Sequence, residues 1–263
     1  GSSEAGFTIK DTGSVGRIFL AANDGESVLV ERTDSGWMVN KTYRALPSTL
    51  NDLMTTLYKQ SALYPVTQSA YDNVIKALST DGTKVEIYDR KGKKMSVFYV
   101  GGTAVNDLGT NMLMDGATKP YVVHVQGFNG YLTPRYSSKL KDWRDRTVFN
   151  IPDNEIKSIS VQYPGKPGSS FTLVRENGGF AVKSDTPIVN NKEALNMRRV
   201  NAYLKYFTDI HCEGYLNGVR EMDTTIKTAP KQSTIEVEGM HGQHQRIDIY
   251  WMAINQRSKN RVS

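Results

Sequence analysis

The chain has 263 residues, a formal charge of +6 and a sequence pI near 9.2. With 38 % hydrophobic and 23 % charged residues it reads as globular rather than disordered, and it is long enough for one large or two ordinary domains. No apolar run reaches the roughly 18–20 residues that span a bilayer, and the positive side chains, densest at residues 139–146 and 257–261, lack the interleaved aromatics of a nucleic-acid interface, so no nucleic acid is expected as a partner.

In chain order the first elements are strands. Residues 17–20 and 27–32 alternate or run apolar around Asn23-Asp24-Gly25, a hairpin turn signal. Trp37-Met38-Val39, after Asp34-Ser35-Gly36, gives a third short strand. Pro47 opens a helix where its missing N–H is not needed. Leu50, Leu53, Met54, Leu57 and Tyr58 then fall at i, i+3, i+4, i+7 and i+8, one apolar stripe. A second helix is expected from Ser69, with Tyr71, Val74, Ile75 and Leu78 inward, ending before Gly82. The period then returns to two. Val85, Ile87 and residues 95–100 flank the Lys91-Gly92-Lys93 turn, and residues 113–114 and 121–125 add strands around Asp115-Gly116. Strands, then helices, then strands predict an α+β domain with a mostly antiparallel sheet.

The same order is then read a second time. Val15-Gly16-Arg17-Ile18-Phe19-Leu20 is answered by Ile156-Lys157-Ser158-Ile159-Ser160-Val161. Val28-Leu29-Val30-Glu31-Arg32 followed by Gly36-Trp37-Met38-Val39 is answered by Phe171-Thr172-Leu173-Val174-Arg175 followed by Gly179-Phe180-Ala181-Val182. Val200, Tyr203, Leu204 and Phe207 repeat the stripe of Leu50, Leu53, Met54 and Leu57, with Asn190 or Asn191 as the helix cap. Ile235-Glu236-Val237 answers Val85-Glu86-Ile87, and residues 247–251 answer residues 96–100. Residues 215–231 read as a poor helix that does not clearly copy the second helix of the first domain, and after Trp251 the copy stops.

The expected architecture is therefore α+β, two tandem related domains, each a mostly antiparallel sheet with one or two packed helices. Residues 7–135 form the first repeat, residues 136–154 a linker containing Trp143, and residues 155–263 a second repeat truncated at its C-terminus. Either the natural protein continues past Ser263 or the last strands are supplied differently. Gly1-Ser2 has the look of a cloning remnant, which places any leader or anchor before the first residue. Cys212 is the single cysteine, so no intrachain disulfide can form, and it reads as a small buried hydrophobe.

The strand pair, the Val30-Glu31-Arg32 and Leu173-Val174-Arg175 steps, the Gly-aromatic openings at Gly36-Trp37 and Gly179-Phe180, and the helix and hairpin that follow resemble a bacterial family, domain of unknown function 4340 (DUF4340). Phe7-Thr8-Ile9-Lys10-Asp11-Thr12 and Trp143-Arg144-Asp145-Arg146-Thr147-Val148-Phe149 resemble the form common in Bacteroidetes. The resemblance runs from about residue 7 to residue 251, and its motifs are structural. It implies an N-terminal membrane-spanning segment or lipid anchor, with this part of the protein outside the cytoplasmic membrane. It also implies association, in some members, with auxiliary components of ABC transporters of the gliding-motility type. The family defines no catalytic residue, and none is carried over.

Motifs with chemistry are few. The histidines are His124, His211, His241 and His244. His241-Gly242-Gln243-His244 sets two imidazoles three apart, but Gly242 falls where a hairpin turn is expected and no third ligand is near in sequence, so no metal site is assigned. There is no Gly-x-Ser-x-Gly elbow, no P-loop and no Gly-x-Gly-x-x-Gly after a strand. Gly101-Gly102 reads as a bulge or turn, and Asp142 and Asp145 as partners of Arg144 and Arg146. No catalytic residue, cofactor-binding residue or cofactor is assigned, and the chain is not expected to be an enzyme.

Binding is the remaining class. Tyr121, Phe128, Tyr131 and Tyr136 cluster after the first sheet, around Gly127 and Asn129-Gly130. Core or inter-domain packing is the plain reading, and Trp143 is expected to dock at the domain junction. The functional reading makes Tyr121, Phe128, Tyr131 and Trp143 the candidate interaction surface. The expectation is a non-enzymatic, periplasmic or otherwise extracytoplasmic interaction or scaffolding module, membrane-anchored through an N-terminal segment. Its partners would be other cell-envelope proteins, an ABC transport complex among them. The competing expectation is a small-ligand or glycan binder using the cleft between the two repeats.

Overall fold

A computed structural model describes residues 5–105, 108–186, 195–216 and 220–251. The chain divides into two units, Gly1–Asp145 and Arg146–Ser263. Both are α+β, and every strand pairing among the described residues is antiparallel.

In the first unit β1 (Val15–Ala22), β2 (Ser27–Thr33), β3 (Gly36–Val39) and β4 (Tyr43–Arg44) form a meander. Its tight turns place Gly25 and Gly36 at φ +88° and +108°, a region open to glycine without steric cost. α1 (Pro47–Lys59) starts at Pro47 and buries Leu50, Leu53 and Leu57 of the predicted stripe, with Met54 partly buried against the core, but Tyr58 is 47 % exposed. β5 (Gln60–Pro65), α2 (Gln68–Asp81), β6 (Thr83–Asp89), β7 (Lys94–Thr103), β8 (Thr110–Met114) and β9 (Tyr121–Val125) follow, and α3 (Leu140–Trp143) is a single turn. The sheet runs β4-β3-β2-β1-β6-β7-β8-β9-β5. β5 is absent from the predicted elements for a physical reason. It leaves α1 with no glycine or proline between them, and it exists as a strand because β9 pairs with it from Gln60↔Val125 to Pro65↔Tyr121.

One core cluster joins the inner face of this sheet, through Ile18, Leu20, Val30, Ile87, Phe98 and Met112, to α1 and to Phe7, Leu132, Tyr136 and Trp143. Gln60 is fully buried within it. Its Nε2 donates to the Phe7 carbonyl at 2.7 Å, the Tyr136 hydroxyl donates to its Oε1, and its own carbonyl accepts the Thr8 hydroxyl at 2.7 Å. Burial pushes the Tyr136 pKa up, which keeps that hydroxyl a donor.

The second unit contains β10 (Thr147–Phe149), β11 (Ile156–Gln162), β12 (Phe171–Glu176), β13 (Gly179–Lys183), α4 (Met197–Lys205), β14 (Ile210–His211), α5 (Arg220–Thr228), β15 (Lys231–Gly239) and β16 (His244–Tyr250). Its sheet order, β13-β12-β11-β15-β16, is that of β3-β2-β1-β6-β7 in the first unit. The repeat reaches the irregularities: β1 shifts register against β6 between Val15 and Arg17, and β11 against β15 between Ile156 and Ser158. It reaches the entering segment too. Phe7 and Ile9 are buried, with Ile9 N–H bonded to the Leu57 carbonyl at 2.8 Å, and Phe149 and Ile151 are buried, with Phe149 paired to Ile210.

Three sequence expectations change. Residues 215–231 do contain a helix, α5, standing between β14 and β15 as α2 stands between β5 and β6. It escapes pattern reading because its nine residues REMDTTIKT offer only Met222 and Ile226 as apolar positions among three threonines. α4 is capped by Asn196, whose side chain accepts the Arg199 N–H at 3.2 Å; Asn190 and Asn191 lie outside the described residues. The expected linker is shared out, with Tyr136 and Trp143 in the first core and Phe149 and Ile151 in the second. No counterpart of β8 or β9 follows β16 among the described residues, and residues 252–263 lie outside them. The expected match of residues 247–251 to residues 96–100 moves by two: Ile235 faces Ile247 as Val85 faces Phe98, so the half-buried Ile249 stands where Val100 is 1 % exposed.

Gln60→Met strips the acceptor from the Tyr136 hydroxyl and the donor from the Phe7 carbonyl, and is expected to destabilise the first unit by about 2–4 kcal/mol. In a Trp251→Phe background, tryptophan fluorescence in urea reports that unit alone, through Trp37 and Trp143. Adding Tyr136→Phe to Gln60→Met should then cost little, because the hydroxyl has already lost its partner.

Candidate functional site

The four sequence-predicted surface aromatics do not share one surface. Trp143, on α3, is 0 % exposed and belongs to the first core. Its indole Nε1 donates to the Ser137 carbonyl at 2.7 Å, and its own carbonyl accepts the Leu46 N–H at 2.7 Å. It is therefore not open to a partner, which corrects its place in the candidate interaction surface. The charges beside it remain outside: the Arg144 guanidinium lies 4.0 Å over the Tyr43 ring, and Asp142 accepts the Ser137 hydroxyl. Tyr121 is half-buried, packed on the core and edge-on to Phe7 with centroids 6.4 Å apart. Only Phe128 and Tyr131 are exposed, between β9 and α3, with the Arg135 guanidinium 4.5 Å over the Phe128 ring.

A second apolar feature of the first unit gathers residues that pattern reading does not connect. β5 is the last strand of the sheet, among the described residues paired only with β9, and Leu63 and Tyr64 upon it are exposed. Beside it lies a cleft of about 320 Å³ lined by Tyr64, Val66, Ala70, Val74, Ala104, Val105 and Val122, with Thr67, Ser69 and Asn111 as its polar members. Val105 is 95 % exposed. Two glycines allow the close packing around it. A β-carbon on Gly101 would meet the Leu78 side chain at 2.9 Å, and one on Gly109 would meet Val122 at 2.7 Å and the Val123 carbonyl at 2.8 Å. The available sequence signal was Leu63-Tyr64-Pro65-Val66, an apolar run between two helices that fits neither helical stripe.

The polar candidates stand apart from this cleft. Among the described residues no group of three or more His, Cys, Asp or Glu is placed to hold a metal ion. His244 Nε2 lies 3.6 Å from Glu236, His211 Nε2 lies 2.6 Å from Asp209, and Cys212 is half-buried. Two carboxylates are held below the usual range. Glu86 is held by hydrogen bonds from Lys84 and then Tyr88, and Asp248 by the Thr234 hydroxyl and then Lys231 and Arg246. Each is neutralised within its own sheet.

Residues 68–232, from the start of α2 into β15, match the model of a family described as Domain of unknown function (DUF4340). No curated protein and no solved structure gives a significant match.

Trp143→Ala is expected to destabilise the first unit by about 3–5 kcal/mol in urea unfolding followed through Trp37, as for a large aromatic removed from a packed core. A partner-facing tryptophan would instead leave stability within about 0.5 kcal/mol.

Proposed function

We propose, from the premise that this chain belongs to the DUF4340 family, that it works as a non-enzymatic interaction module of the cell envelope. It engages its partner through the β5 edge and the apolar cleft beside it. The observation that supports this reading is the juxtaposition of an edge strand with exposed Leu63 and Tyr64 and a cleft lined mainly by aliphatic side chains. An extended segment laid along such an edge gains main-chain hydrogen bonds, while one of its side chains enters the neighbouring pocket and selects the sequence. The occupant is thus an extended segment with an aliphatic or aromatic residue at the position facing Val74 and Val122.

The extracytoplasmic location, the N-terminal anchor and an ABC-type envelope transport complex as the partner assembly rest on what the family resemblance, from about residue 7 to residue 251, implies. In that setting the module has no chemistry of its own to perform. It holds another envelope protein at the membrane.

A photo-reactive phenylalanine at Tyr64, in the native protein in its own host, is expected to give a discrete adduct with an envelope protein. The adduct should be lost when Ala70→Asp places a charge in the cleft, and it should not form from the exposed Tyr206 of the second unit. Identical adducts from both positions, or none from Tyr64, would sink the proposal.

A further inference from the structure

The internal repeat provides a control for one arginine of the first unit. Arg32 on β2 and Arg175 on β12 occupy the same place, opposite Trp37 and Phe180 on the next strand. Their guanidinium groups lie 4.9 Å and 4.5 Å over those rings. Arg175 is satisfied by backbone: its Nε donates to the Ile156 carbonyl and its Nη2 to the Asp153 carbonyl, both at 2.9 Å. In the first unit the Arg32 Nε is buried and meets no hydrogen-bond partner among the described residues. A buried donor left open in this way demands an acceptor from elsewhere.

A second guanidinium stands close enough to act on Arg32 through its charge. Arg90 follows β6 as Met240 follows β15: each backbone N–H reaches the residue before the first strand, Arg90 to the Ser14 carbonyl at 3.1 Å and Met240 to the Glu155 carbonyl at 2.8 Å. The second unit has a thioether there, and the first has a cation whose Nη2 takes the Gly13 carbonyl at 3.0 Å. The approach depends on Gly16, since a β-carbon there would meet the Arg90 backbone at 2.6 Å. Burial, and then the charge of Arg90, lower the Arg32 pKa from its ordinary value.

Both arginines line a cavity of about 400 Å³ at this end of the sheet. Glu31, Asp34 and Asp89 also line it, but the Asp89 carboxylate is engaged by the Lys91 and Lys93 N–H groups of its own turn, at 2.8 Å and 2.9 Å. We propose that this cavity is an anion site, in which a small oxyanion, carboxylate or phosphate, takes the place that the Ile156 and Asp153 carbonyls hold around Arg175. Guanidinium groups accept such oxyanions through paired N–H donors. The carboxylates of Glu31 and Asp34 disfavour extended polyanions, which restricts the site to a single small group. The inference is independent of the β5 cleft.

The test is calorimetric titration of the whole chain with inorganic phosphate and, separately, with succinate, at constant ionic strength. Saturable binding of one equivalent is expected. It should weaken at least roughly tenfold in Arg32→Met and in Arg90→Met, and remain unchanged in Arg175→Met. Binding of phosphate alone points to a phosphate-bearing ligand, and binding of succinate to a carboxylate. In the native protein the Arg32 Nε–H NMR resonance must move on saturation, a readout that needs no variant to fold. The proposal is overturned if neither probe saturates, if that resonance stays put, or if Arg32→Met binds as tightly as the native chain.

Discussion

The first unit depends on a buried amide. Three pieces of chain meet in its core: the entering segment at Phe7, the junction of α1 with β5, and the returning segment at Tyr136. Gln60 belongs to the second and bonds to the other two, to Phe7 and Thr8 of the entering segment and to Tyr136 of the returning one. A buried primary amide is costly unless each of its groups is paired, and here the pairing fixes the register of segments far apart in sequence. Around it Phe7, Phe98 and Tyr136 pack edge to face, with centroids 5.9 Å and 5.7 Å apart, so the polar node and the aromatic core hold one another in place.

The second unit solves the same junction without the amide. Ile210 stands at the position of Gln60 and pairs, through the backbone of β14, with Phe149 on β10. The ring contact moves to α4, where Phe149 meets Phe207 at 5.4 Å and Phe207 meets Tyr203 at 5.1 Å. One scaffold thus carries two kinds of closure, polar and specific in one copy, apolar and local in the other. The shared part is backbone: strand order, the bulge near the start of the first strand, and the positive-φ turn glycines Gly92 and Gly242.

That division explains what pattern reading recovers. β1 to β3, α1, α2, β6 to β9 and, in the second copy, β11 to β13, α4, β15 and β16 announce themselves, because each presents an alternating or 3.6-residue apolar face and most are bounded by a glycine or proline. β5 and α5 do not. The first is made by its partner β9, and the second holds too few apolar residues to show a period. Trp143 misleads for a related reason: Lys141, Asp142, Arg144 and Arg146 around it describe a surface, while the indole turns inward to Ser137. The β5 cleft draws on β5, α2, β8, β9 and the chain after β7, and no local window contains all of them.

The same logic locates where the copies are free to diverge. A position whose geometry is set by backbone tolerates a change of side chain only if the new polar groups find partners. Arg175 finds them in the carbonyls of Asp153 and Ile156, so it stabilises its own turn and has no donor to spare at Nε. Arg32 has the same strand pairing and a stacked aromatic, but its Nε is buried without a partner, and the residue lines a cavity together with Arg90. A fold that only needed the strand pairing would keep the arrangement of the second copy. The first copy departs from it at Arg32 and Arg90, and the departure leaves a buried cationic donor without an acceptor of its own, which a small oxyanion would supply.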